Sequence, residues 1–102
     1  MFMTFSEILE HLKNGECVRR NAWKPNLIAV KQINADIPNN VISNMQSLPQ
    51  SAKNVLKSHV SLGYRNQCLI IEINDDGAIA TNYVPNWNDI FADDWMVAEN
   101  EF

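Results

Sequence analysis

The sequence predicts an α+β fold: an N-terminal amphipathic helix with a small antiparallel sheet and a helical insert, in a single domain over residues 1–102. Three observations carry this. Apolar residues recur at helical spacing near the N-terminus and again within residues 34–62. Apolar, β-branched runs bounded by turn residues lie at 27–33 and 64–73. The strand-like runs follow one another with few helices between them, which favours antiparallel pairing over alternating βαβ units.

The first helix is the most completely specified element. Thr4-Phe5-Ser6-Glu7 spells a capping box, in which Thr4 accepts from the Glu7 amide and Glu7 reaches back. Phe5, Ile8, Leu9 and Leu12 then form one apolar face, Lys13 suits the helix C-terminus, and Gly15 supplies a left-handed stop. Residues 16–20 read as a short strand, with Val18 and Arg20 on one face and Cys17 and Arg19 on the other. Residues 21–26, with Trp23 and Pro25, form a loop, and residues 27–33 a central strand. Within 34–62, Pro38 opens a short helix carrying Ile37, Val41, Ile42 and Met45. Pro49 opens a second, with Ala52, Val55, Leu56 and Val60 on one side. Residues 61–63 punctuate, and residues 64–73 form the strongest strand. Asn74-Asp75-Asp76-Gly77 turns the chain, with Gly77 free to take a positive φ, and residues 78–84 return as the hairpin partner. Asn86 caps one helical turn with Asp89 at its third position, residues 95–98 form a last strand, and the final acidic residues fray.

Composition excludes several functions. The net charge of −4 gives no basic surface for a long nucleic acid. No run of about 18 apolar residues exists to span a bilayer, and no polybasic helix lies ready for a membrane surface. The N-terminus lacks a basic segment and a cleavage site, so it reads as mature sequence. Two cysteines, Cys17 and Cys68, are too few for a disulfide framework, which favours a reducing cytoplasm. A chain of 102 residues buries only about two-thirds of its unfolded surface, so an oligomer would add useful burial.

Candidate chemistry is sparse. His11 and His59 are isolated, neither cysteine has a metal-spaced neighbour, and the acidic pairs 75–76 and 93–94 lack an EF-hand pattern, so no metal is expected. With 3 glycines the chain offers no phosphate loop or dinucleotide fingerprint, and no cofactor is expected. Cys68 sits in an apolar run, where a free cysteine is usually core filler, so no enzyme activity is expected. Two clusters could instead bind a ligand. Arg19, Arg20, Trp23 and Lys24 combine a ring for stacking with cations for phosphate, although composition alone favours Trp23 packed in the core and the arginines solvated. Asn82, Tyr83, Asn86, Trp87, Asp89, Asp94 and Trp95 combine aromatics with groups able to read a base edge. Asp89 there is also a natural helix-capping carboxylate, and Trp95 a natural core anchor.

The stretch FSEILEHLKNGECVRRNAW, followed by YVPNWNDIFADDW, resembles the Thoeris anti-defense type 2 family of small phage and bacterial proteins. Val18, Arg20 and Trp23 match its N-terminal motif. Pro85, Asp89, Ala92, Asp94 and Trp95 match its C-terminal motif in register, while Tyr83 replaces a Trp and Asn86 a Ser. The resemblance implies a non-enzymatic sponge that sequesters a cyclic nucleotide immune signal of the glyco-cyclic ADP-ribose class, with cyclic oligonucleotides for some relatives. It implies a cytoplasmic homotetramer with pockets at subunit interfaces, and a variable region at 34–62. By position it implies Asn82 and Asp94 as adenine-edge partners, Trp23 and Tyr83 as aromatic walls, and Arg20 for phosphate or structural pairing. The competing readings are a phage interaction or structural module without nucleotide binding, and a small hydrolase of the same signal.

Overall fold

The computed structural model describes residues 1–56 and 61–98. They fall into two compact units, one of Met1–Gln32 with the described residues from 66 onward, the other of Ile33–Arg65. The architecture is α+β with antiparallel sheets.

The first unit opens with helix α1 (Phe5–Lys13), whose capping box closes as the sequence dictates: the Glu7 amide donates to Thr4 Oγ1 at 3.3 Å and the Thr4 amide to Glu7 Oε1 at 3.0 Å. Gly15 ends it with φ at 85°, a conformation that costs a side-chain-bearing residue. Strands β1 (Val18–Arg20) and β2 (Leu27–Lys31) follow, and later β5 (Cys68–Asn74) and β6 (Gly77–Asn82), joined by the predicted turn with Gly77 at φ 143°. The short helix α4 (Trp87–Phe91) and strand β7 (Trp95–Val97) complete the unit. The five strands run in the order β6-β5-β2-β1-β7. Backbone bonds between Met3 and Trp95, at 2.7 and 3.1 Å, lay the N-terminal residues along β7.

Pairing fixes the faces. Val18 lies opposite Ala29 and Val97, and Arg20 opposite Trp95, so these residues share the face that α1 covers. Ile8, Leu12, Val18, Ala29 and Trp95 form the core there, each at most 7% exposed. Phe5 tilts against Trp95 with ring centroids 5.6 Å apart. Cys68 and Tyr83 pack against the same core, and both cysteines are free thiols.

The second unit differs from its sequence reading. Helices α2 (Asn39–Ile42) and α3 (Gln50–Leu56) lie where Pro38 and Pro49 announced them, but strands β3 (Ala35–Pro38) and β4 (Ser61–Tyr64) pair as a separate two-stranded sheet. Ile37, assigned to a helix, is in β3 opposite Leu62, and Met45 lies beyond α2. The cause is local: Pro38 stands before the helix as its N-cap, with ψ at 154°, and so extends the residues preceding it. Val60 lies outside the described residues, as do residues 99–102, where fraying was expected. The predicted strand at 64–73 is divided, because Asn66 takes a left-handed φ of 53° between β4 and β5.

Candidate functional site

The site is assembled where β1, the loop after it, α4 and the start of β7 converge in the first unit. Arg20 ends β1 on the α1-covered face. Its Nε donates to Asp94 Oδ1 at 2.8 Å and its Nη1 to Asp89 Oδ1 at 3.1 Å. The side chains are 18% exposed for Arg20, 9% for Asp89 and 20% for Asp94. The arrangement is thus a largely desolvated triad of one cation between two carboxylates. Such a pair is costly to form and costlier to break, because removing one partner strands the other.

Asp89 is the hub. Its backbone N–H is taken by Asn86 Oδ1 at 2.8 Å, which starts α4, and its backbone carbonyl accepts from Trp95 Nε1 at 2.8 Å. Its carboxylate accepts from the Tyr83 hydroxyl at 3.1 Å and, more weakly, from Trp23 Nε1 at 3.4 Å. Asp94 is a second clamp. Its Oδ2 accepts the Ala22 amide at 2.9 Å and its carbonyl the Asn21 amide at 3.0 Å, which fixes the loop carrying Trp23. The Trp23 ring meets Tyr83 and Trp95 edge-on, with centroids 5.7 and 5.2 Å away.

These contacts set the titration of the groups. The hydrogen bond to Asp94 holds Arg20 protonated above its ordinary range. Burial pushes the Asp94 carboxyl up, but the Arg20 hydrogen bond, the Ala22 amide and the Arg20 charge outweigh it and leave the pKa lowered. Burial, and then the neighbouring Asp89 carboxylate, raise the Tyr83 phenol well above its usual value.

Four of the five sequence-predicted residues, Arg20, Trp23, Tyr83 and Asp94, therefore meet in one network. The fifth, Asn82, is exposed at the end of β6, one residue before Tyr83. Sequence reasoning cast Asp89 mainly as a capping carboxylate. Asn86 caps the helix as the sequence indicates, and the Asp89 side chain turns inward to the network. Trp95 serves as the core anchor, 1% exposed. Arg19 points elsewhere, its Nη2 donating to the carbonyls of Trp23 and Lys24 at 3.1 and 3.2 Å. Trp87 and Phe91 stack on one another on the outside of α4, with centroids 5.4 Å apart and exposures of 70% and 77%.

Among the described residues no group of three or more His, Cys, Asp or Glu is placed to hold a metal. No helix of the described chain is long and apolar enough to cross a membrane. A cleft of about 260 Å³ lies within the second unit, lined by amides such as Asn40, Gln50 and Asn54 together with Lys53; none of the five candidate residues lines it.

A small antiparallel sheet under one capped helix, with an Arg held between two Asp beside clustered aromatics, defines a compact α+β domain whose polar network orders a wall of rings. A family model described as the Thoeris anti-defense 2-like domain matches residues 3–98, and the chain belongs to that family. No curated protein gives a match.

Proposed function

We propose that the protein is a non-enzymatic sponge that binds and sequesters a cyclic nucleotide immune signal, of the glyco-cyclic ADP-ribose or cyclic oligonucleotide class, and so blocks bacterial anti-phage defence. It acts in the bacterial host cytoplasm as a homo-oligomer, a tetramer, and needs neither cofactor nor metal. Membership of the Thoeris anti-defense 2-like family supports the anti-defence role. The observation that carries the ligand reading is the convergence of Arg20, Trp23, Tyr83 and Asp94 on one desolvated network.

In this reading Asn82 and Asp94 read the adenine edge. A carboxylate has about four lone-pair positions. Arg20 and Ala22 take one on each oxygen of Asp94, and Asp94 retains partial exposure from which to accept an exocyclic amine. Trp23 and Tyr83 wall the base, and Arg20 holds the wall in place. Capture without chemistry needs slow release, and pre-organised, desolvated contacts supply it.

A second reading, an interaction module that binds no nucleotide, is favoured by the exposed Trp87–Phe91 stack, since aromatics of that kind anchor protein interfaces. Native mass spectrometry with glyco-cyclic ADP-ribose isomers, cyclic ADP-ribose and cyclic dinucleotides separates the two. The sponge gives an oligomer carrying unmodified ligand, released intact on heating, and loses capture in Asn82→Ala with the fold retained. A protein bare across the panel refutes the sponge, and a changed ligand mass makes it an enzyme.

A further inference from the structure

The two edges of the five-stranded sheet are treated differently. At the β7 edge, Met3 closes backbone bonds with Trp95. At the other edge β6 pairs, among the described residues, with β5 alone, and all six of its residues, GAIATN, are exposed. It carries no charge and no proline, the usual devices by which an edge strand avoids pairing.

The orientation of its free backbone groups follows from the ladder. The Tyr83 amide donates inward to the Cys68 carbonyl. Strand alternation then turns Ile79 and Thr81 toward β5, and turns the N–H and C=O of Ala78, Ala80 and Asn82 outward. We propose that this edge is a self-pairing surface: β6 joins antiparallel to β6 of a second copy of this chain across a two-fold axis at Ala80, continuing the five-stranded sheet through both copies.

The two-fold axis fixes the register. Outward groups must meet outward groups, so Ala80 faces Ala80 of the second copy and Ala78 faces Asn82. All three outward donors and all three outward acceptors of each copy then find partners. On the face shared with α1, Ile79, which is 62% exposed, meets Thr81 of the second copy, a pairing of β-branched side chains. On the opposite face the axis passes between two Ala80 methyls, which do not clash. Charge selects the same occupant. A two-fold axis sets like against like, and for a chain of net charge −4 an uncharged strand avoids direct repulsion. The flanking Asp76 falls opposite Val84 rather than opposite another acid, and Pro85 marks where pairing must stop.

This inference rests on the oligomeric part of the proposed function but not on the ligand. It also makes Asn82 a residue of the seam, which would tie that candidate ligand contact to the second copy.

The test uses the full chain without nucleotide. Native mass spectrometry gives the assembly of the wild type and of Ala80→Pro. Proline removes an outward N–H and leaves the β5–β6 ladder intact, so the expected result is a smaller assembly with an unchanged circular dichroism spectrum. Ala80→Cys supplies an independent readout, because facing residues of a hydrogen-bonded antiparallel pair have Cα atoms about 5.5 Å apart, within disulfide reach. Non-reducing electrophoresis after mild oxidation should show a covalent dimer for Ala80→Cys and none for the wild type. An Ala80→Pro protein of wild-type mass, or an Ala80→Cys protein that does not cross-link, overturns the seam while leaving the oligomer standing. A monomeric wild type overturns both. If Ala80→Pro fails to fold, the cross-link decides.

Discussion

Replacing Asp89 by Ala should destabilise the protein by about 3 kcal/mol, at the lower end of the range for breaking a buried ion pair. The value follows from what loses a partner. The Tyr83 hydroxyl donates to Oδ2 at 3.1 Å, and a hydrogen bond to a charged group contributes about 1.5–3 kcal/mol. Arg20 loses its 3.1 Å contact but keeps Asp94 at 2.8 Å, so its charge is not wholly stranded. The Trp23 bond, at 3.4 Å, adds little. For a domain of this size the loss corresponds to a fall in Tm of roughly 12–24 °C. Thermal unfolding followed by circular dichroism reads it directly. Asp89→Asn keeps the shape and an acceptor, and should fall by about half as much. Tyr83→Phe alone should cost about 1–2 kcal/mol, and the double variant with Asp89→Ala should lose less than the sum of the two. A fall of less than about 4 °C for Asp89→Ala, with additive behaviour in the double variant, would refute the claim that Asp89 organises this corner.

Other perturbations probe separate parts of the argument. Thr4→Ala removes the acceptor of the capping box and should cost about 1 kcal/mol in urea unfolding, while Ser6→Ala, outside that pair, should cost little. Asp94 has a folded-state pKa below its ordinary value, so its contribution to stability is present above that value and is lost as pH falls through the folded one. Urea midpoints should therefore drop below about pH 4, less steeply in Asp94→Asn. Tyr83 has the opposite sign. Its raised pKa leaves stability intact below about pH 10 and erodes it above, so ultraviolet titration should show a late phenolate phase that Tyr83→Phe removes.

Much of the fold is legible in the sequence because local signals and the global arrangement agree. The Thr4–Glu7 box, Gly15, the 74–77 turn and the Asn86 cap each satisfy nearby backbone groups, so a few residues suffice to specify them. Strand β3 was not legible, because its partner β4 lies across two helices and Pro38 reads equally well as a helix opener. The break at Asn66 was hidden because nothing in its neighbours demands a left-handed residue there. For the candidate site, the residue set could be gathered from composition and resemblance. Its wiring could not, since Arg20 meets Asp89 and Asp94 across 69 and 74 residues of chain. Spacing along the chain carries no information about such meetings. It distinguishes neither a capping carboxylate from a buried hub nor a free guanidinium from a committed one.

That commitment bears on what the site would hold. Arg20 spends its Nε on Asp94 and an Nη on Asp89, so the cluster of one cation and two carboxylates has a formal charge of −1. A phosphate brought against it would meet net repulsion in a poorly solvated setting, where charges interact more strongly than in water. An exocyclic amine would instead meet a spare carboxylate lone pair. Under the proposed function this corner would therefore take the base edge of the nucleotide, and Arg20 would be the residue that holds Asp94 in position. The consequence can be measured by competition. With a fluorescent adenine nucleotide bound, adenosine should displace it at concentrations where inorganic pyrophosphate does not, and Arg20→Lys should weaken adenosine and nucleotide alike, because a single ammonium cannot reproduce the two-carboxylate fork. Displacement by pyrophosphate but not by adenosine would reverse the assignment and make Arg20 a phosphate ligand.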